Sequence, residues 1–236
     1  MTNDPQQRVS TIRDNLQKVQ ERVVAAAERS GRSSDEITVV TVSKTWPIDV
    51  VQSAVDAGAT VLGENRVQEG QAKIPEIKGD LTWHLVGHLQ RNKARIAIEL
   101  FDVIQSVDSV RLARTLSSHV ADRDGDLSVL VQVNTSGEST KSGLDPNEAV
   151  DVAAEIATLD GLRVDGLMTI ATLSDDEREA RRCFGALRDM RDRLAAEARS
   201  EPLELSMGMT GDFEIAIEEG ATIVRIGTAI FGQRTV

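Results

Sequence analysis

Eight short runs of β-forming residues, alternating with segments of helical spacing, predict an α/β protein. The specific architecture is a single (β/α)8 TIM barrel preceded by a long N-terminal helix. Two further observations agree. The apolar 40% of the chain is mostly Val, Ile, Leu and Ala, with aromatics at 3% and no tyrosine, the palette of a parallel sheet covered by helices. No composition break or Pro/Gly/Ser linker divides the 236 residues, so residues 1–236 are read as one domain. An open doubly wound sheet is the alternative, and the lack of a GxGxxG fingerprint after the first strand counts against it.

The first element is a helix from about Pro5 to Arg29, which should pack residues 1–31 on the barrel. Asp4 can cap it, Pro5 suits its first position, and Ile12, Leu16, Val19, Val23 and Ala27 form one apolar face. After Gly31 the period changes. Strands are expected to begin near Ile37, Thr60, Thr82, Phe101, Leu127, Leu162, Leu203 and Thr222. Helical spacing follows in "PIDVVQSAVDAG", "RNKARIAIEL", "DSVRLARTLSSHV", "PNEAVDVAAEIATLD" and "DEREARRCFGALRDMRDRLAAEA". The single cysteine, Cys183, cannot form an internal disulfide and reads as a small packing residue of the last of these.

A net charge of −11 and a pI near 4.8 set the surface against nucleic acid and anionic membranes. No run approaches the roughly 20 apolar residues that span a bilayer. The opening "MTNDPQQRVSTIRDNLQ" lacks an apolar signal core, so a cytoplasmic protein is expected. The absence of a long apolar edge or patch points to a monomer. His84 and His88 stand four apart on a strand and a Gly-containing turn, so they are not a zinc pair, and no Cys/His cluster suggests a metal.

In such a barrel the C-terminal strand ends share one mouth, where sites are built. Strand one, "ITVVTVSKTWP", delivers Lys44 there. Strand two contributes Glu64 and Asn65, strand three His84 and His88, strand five Asn134, and strand six Met168 and Thr169. Strand seven ends "LELSMGMTGDF", with Ser206 and Gly208, and strand eight ends "VRIGTAIFG", with Arg225, Gly227 and Thr228. Glycines, hydroxyls and a short helix opening at Thr228 make loops seven and eight a candidate phosphate cradle, because backbone N–H groups can approach an anion closely there.

A lysine at a strand end ordinarily snorkels to solvent. Beside a phosphate cradle it suits capture of a carbonyl, either in a phosphorylated sugar, as in a Schiff-base aldolase, or in pyridoxal 5'-phosphate (PLP). Arg225 favours PLP. Alternation places it on the same face as Gly227, where its guanidinium can donate to the pyridine nitrogen, disfavour ring protonation and weaken the electron sink.

The ordered set "VSKTWP", "GENRVQE", "WHLVGHLQRNK", "KSGL", "GLMTI", "SMGMTGDFEIAI" and "VRIGTAIFG", from Val42 to Gly232, resembles the pyridoxal phosphate homeostasis proteins (the YggS/PROSC family). The resemblance implies a PLP-bearing barrel similar to the N-terminal domain of alanine racemase, with Lys44 forming the internal aldimine. It assigns Ser206, Gly227 and Thr228 to the phosphate, with Gly208 in the same loop set, Arg225 to the ring nitrogen, and Asn65 to the surroundings of the cofactor. The chain departs from the pattern in two places: Trp46 stands where some relatives carry a second lysine, and Thr210 and Gly211 follow "SMGM" where Ser and another residue are common.

Other residues carry weaker readings. Asn65 could cap helix two, contact the cofactor, or both. His84 reads as a satisfied core histidine. Lys141 is either a solvated loop lysine or a second amine near the cofactor, and Asn134 either faces the mouth or holds its loop together. Racemisation needs an acid/base group on each face of the substrate carbon. Alanine racemase resemblance would supply Lys44 for one and a tyrosine of a second domain for the other. This chain has no tyrosine, and no second domain is read from it. The expected function is therefore PLP binding and delivery to recipient enzymes, with no catalytic residues. A racemase-like enzyme and an aldolase are the alternatives.

Overall fold

In the computed structural model, which describes residues 4–120, 125–138, 140–172, 176–198 and 203–233, eight parallel strands close into a barrel in chain order. They are β1 Thr38–Val42, β2 Val61–Glu64, β3 Thr82–Leu85, β4 Val103–Val107, β5 Leu127–Gln132, β6 Leu162–Met168, β7 Glu204–Ser206 and β8 Ile223–Ile226. Each begins within two residues of the position its sequence predicts. The helices are α1 Pro5–Arg29, α2 Ile48–Asp56, α3 Val67–Lys73, α4 Ala94–Leu100, α5 Val110–Val120, α6 Ala149–Ile156, α7 Glu177–Ala198, α8 Phe213–Glu218 and α9 Thr228–Phe231.

Strand alternation divides the apolar residues into two cores. Val40, Val42, Val86, Leu130, Met168 and Ile223 pack together inside the barrel. Leu62, Leu85, Ile104, Leu167 and Val224 point outward into a larger core shared with the helices. Glu64 shares the outward face of β2 with Leu62, so a carboxylate enters the layer between barrel and helices.

Asp4 caps α1 as expected, accepting from the Gln6 amide. The helix lies against α2, α8 and α9 and supplies outer cover that the four-residue α9 is too short to give. Burial of Ile12, Val19 and Val23 stabilises this seam by roughly 1.5–3 kcal/mol each. Arg8 is buried on the same face because its guanidinium reaches Ser53 Oγ (3.0 Å) and Asp49 (2.9 Å) on α2. Helix α3 is expected after strand two, but like α8 it shows no clear helical period in the sequence. Gly70 interrupts the α3 pattern and makes room for the Phe101 ring, while six residues of α8 are too few to show a period. Among the described residues, no helix is long and apolar enough to cross a membrane.

Candidate functional site

Barrel closure makes β8, β1 and β2 neighbours, so their ends form one arc of the mouth. Along this arc lie Arg225 with Gly227 and Thr228, then Lys44, then Asn65. Lys44 follows β1 by two residues and is exposed at the mouth. It occupies a turn closed by the Trp46 amide donating to the Ser43 carbonyl (3.1 Å), and the next residue, Thr45, has φ 66°.

Below the mouth a polar chain crosses the barrel interior. Arg225 donates to Ser206 Oγ (2.6 Å) and to the Thr169 carbonyl (2.7 Å). The Ser206 hydroxyl donates to Gln105 Oε1 (2.6 Å). The Gln105 amide nitrogen therefore donates to His84 Nδ1 (2.6 Å), which puts the ring proton on Nε2. Burial lowers Arg225 to about 10, with Asp212 opposing. The remaining guanidinium N–H groups have no protein acceptor among the described residues.

Burial likewise lowers His84 to about 4, opposed by Asp102, so the ring is a neutral core histidine. The unfolded chain takes up this proton near pH 6.5, the folded chain only near 4. The associated stability is complete above the upper value and is lost as pH falls towards the lower one. A shift of this size corresponds to about 3 kcal/mol. Urea unfolding is thus expected to show a steeper loss of stability for wild type than for His84→Gln between about pH 7 and pH 4.5. Parallel losses would assign the acid sensitivity to other groups.

Loops seven and eight are joined by the Ala229 amide, which donates to Thr210 Oγ1 (3.3 Å), so the departure at Thr210 keeps a working hydroxyl. Gly208, at φ 91°, carries the chain past Phe213 and Ala216, and a Cβ there would lie 2.6 Å from Ala216 Cβ. Its carbonyl accepts from the Arg225 amide (3.0 Å). A Cβ on Gly227 would come within 3.2 Å of the Val42 carbonyl, so only a small residue brings the start of α9 this close to the β1 end. Thr228 is exposed at that start. Trp46 stacks on Phe231 of α9 at 5.5 Å between ring centroids, which ties the Lys44 turn to the same short helix.

The weaker readings now separate. Asn65 does not cap α3: the N-cap is Arg66, without a side-chain cap bond. Asn65 instead lines a cleft of about 730 Å³ with Arg66, Lys73, His88 and Lys93. Asn134 holds its loop, donating to the Glu138 (2.9 Å) and Lys141 (3.3 Å) carbonyls and accepting from Ser136 (2.8 Å). Lys141 donates to the Ala171 carbonyl (2.9 Å) and pairs with Glu138 (2.7 Å), so it is fixed rather than freely solvated. Cys183 is buried, with its thiol against the Thr135 carbonyl.

Sequence reading missed one constellation. Lys73, 6% exposed, donates to Glu64 (2.7 Å), Glu69 (3.1 Å) and the Ser43 carbonyl (2.9 Å). Glu64 is fully buried; its Oε1 also accepts from Ser43 Oγ (2.7 Å), while Oε2 has no hydrogen-bond partner among the described residues. Burial raises the Glu64 carboxyl, against the lowering by Lys73 and Ser43. The Glu69 to Lys73 spacing and the outward parity of Glu64 were the available signals.

The alanine racemase N-terminal domain family matches residues 9–235. The Escherichia coli K12 protein named pyridoxal phosphate homeostasis protein is 42% identical over 96% of this chain and 98% of its own length. The chain belongs to the pyridoxal phosphate homeostasis protein family. A relative of that name from Aquifex aeolicus is 40% identical over 94% of this chain and 97% of its own. The structure of Synechococcus elongatus PipY with PLP bound is 38% identical, with a TM-score of 0.78 over 91% of this chain and 100% of that one. Clostridium difficile alanine racemase, at 17% identity and a TM-score of 0.77, shares the fold over 96% of this chain and 58% of its own.

Proposed function

We propose that this family member binds PLP through Lys44 and serves PLP homeostasis by holding and releasing the cofactor, without turnover of its own. The observation that carries the reading is the arc formed by β8, β1 and β2, which brings Arg225, Gly227, Thr228, Lys44 and Asn65 to one mouth. The PLP-bound PipY structure and the names of the relatives support it.

The donor set fits the cofactor. A buried guanidinium with spare N–H groups suits a ring nitrogen that must stay unprotonated, and a glycine at 227 leaves no side chain over the backbone N–H groups at the start of α9, which suits an anion. When bound, PLP supplies an aldehyde that captures an amine reversibly. Lys44 is the amine in this reading, the α9 start and Thr228 hold the phosphate, and Gly208 shapes the adjoining loop. Asn65 borders the cofactor from the β2 side. Ser206 has its hydroxyl proton committed to Gln105, so we assign it to orienting Arg225, with the phosphate reached only by giving up that bond. No tyrosine exists to act on the second face of a substrate carbon, which supports a carrier over a racemase. Action of the whole barrel with α1 as one monomeric cytoplasmic unit, and delivery to recipient enzymes, are parts of the same proposal.

The phosphate assignment is tested by Thr228→Val, which keeps shape and removes a hydroxyl. A hydrogen bond to a charged acceptor is worth roughly 1.5–3 kcal/mol, so PLP affinity should fall about tenfold to a hundredfold. Pyridoxal, which lacks the phosphate, should be affected far less. An unchanged ratio of PLP to pyridoxal affinity in a well-folded variant would mean that Thr228 only starts α9.

A further inference from the structure

We propose that Lys73, Glu64 and Glu69 form a buried clamp that fixes the backbone on both sides of Lys44, and that Lys73 and Glu69 are positioning residues for cofactor capture. The inference rests on Lys44 being the residue that captures PLP.

The Ser43 carbonyl belongs to the peptide unit before Lys44, and the Thr45 amide to the unit after it. Lys73 donates to the first at 2.9 Å. Glu69 Oε2 accepts from the second and from Lys73. Glu64 completes the set, binding Lys73 and the Ser43 hydroxyl through one oxygen. Lys73 and Glu69 thus grip the two flanking peptides, with Glu64 holding Lys73 and the Ser43 hydroxyl, while the Lys44 side chain stays exposed and outside the cluster.

The turn needs such a grip. Its closing bond runs from the Trp46 amide to the Ser43 carbonyl, and its third residue is Thr45, at φ 66°. A position with positive φ in a turn of this kind ordinarily takes Gly or Asn, and a β-branched residue there is held by its surroundings rather than by its own preference. Lysine also has a long, freely rotating stem, so its amine can be placed repeatably only if its Cα is placed first. The cluster costs the chain a fully buried carboxylate, one oxygen of which has no hydrogen-bond partner among the described residues.

Double-variant cycles with Lys44→Ala separate positioning from general structural support. Glu69→Ala removes the Thr45 acceptor at a partly exposed site, so folding is not at stake. Lys73→Met removes the donor to Ser43 and is measured at low temperature with circular dichroism as the control. PLP affinity, followed by dialysis and by the visible spectrum, should fall about tenfold in Glu69→Ala and at least as much in Lys73→Met. In the Lys44→Ala background, where only non-covalent binding of PLP remains, both effects should shrink to within about twofold. Unchanged affinity in folded Glu69→Ala overturns the clamp, as does an equal loss in the Lys44→Ala background. If Lys73→Met does not fold, Glu69→Ala decides alone. Borohydride labelling of another lysine would overturn the clamp together with the reading of Lys44, whereas a label on Lys44 with unaltered variant affinities overturns the clamp only.

Discussion

Lys44→Ala is expected to abolish covalent retention of PLP while leaving the barrel intact. Lys44 is exposed and belongs to neither apolar core, so its side chain adds little to stability. Wild-type protein loaded with PLP and reduced with borohydride should carry the added mass on the peptide containing Lys44, and the variant should carry none. The variant's visible spectrum should be that of free or loosely held PLP, with an unaltered melting temperature. The same loaded wild type, given alanine or serine, should show no multiple-turnover racemisation. A label on a different lysine, or sustained turnover that disappears in Lys44→Ala, would require another reading of the mouth.

The largest loss of stability is expected from breaking the Glu64–Lys73 pair. The two side chains meet at 2.7 Å with relative exposures of 0% and 7%, so removing either leaves a charge without its main partner and away from water. Breaking a buried pair in this way costs about 3–5 kcal/mol, whereas replacing both members with apolar groups of similar volume is often close to neutral. Glu64→Met and Lys73→Met should each lower the melting temperature by on the order of 10 °C, at about 2–4 °C per kcal/mol for a chain of this size. Each retains some compensation: Lys73 still has Glu69, and Glu64 still has Ser43. The Glu64→Met, Lys73→Met double variant should therefore melt above at least one of the single variants. Additive losses would mean that the pair is hydrated in solution and that its members act independently.

Much of the fold is legible because its determinants are local. The change from a period near 3.6 in α1 to short β-rich runs needs only a window of sequence, and all eight strands follow from it. Asp4 and Pro5 set the start of α1 through bonds within a few residues. The arc of Lys44, Gly227 and Thr228 is readable too, since parallel alternation sends every strand end to one mouth and order follows from closure.

What the side chains do there was decided by partners distant in sequence. Ser206 reads as a phosphate donor from its loop, yet Gln105, 101 residues away, takes its proton once β4 and β7 face each other across the interior. Arg225 finds the Thr169 carbonyl 56 residues away, and burial then lowers its proton affinity. Asn65 resembles a cap in sequence, but the backbone enters α3 one residue later and leaves it beside Gly87. Lys73 looks like a helix-surface lysine until α3 packs on β2, where the outward face of one strand supplies Glu64 and the neighbouring strand end supplies Ser43. Periodicity by itself determined which residues could reach the mouth and which could reach the helical layer. Only closure of the barrel decided which polar atoms were withdrawn from water there, and a withdrawn atom takes whatever donor or acceptor lies within about 3 Å, however far away it is along the chain.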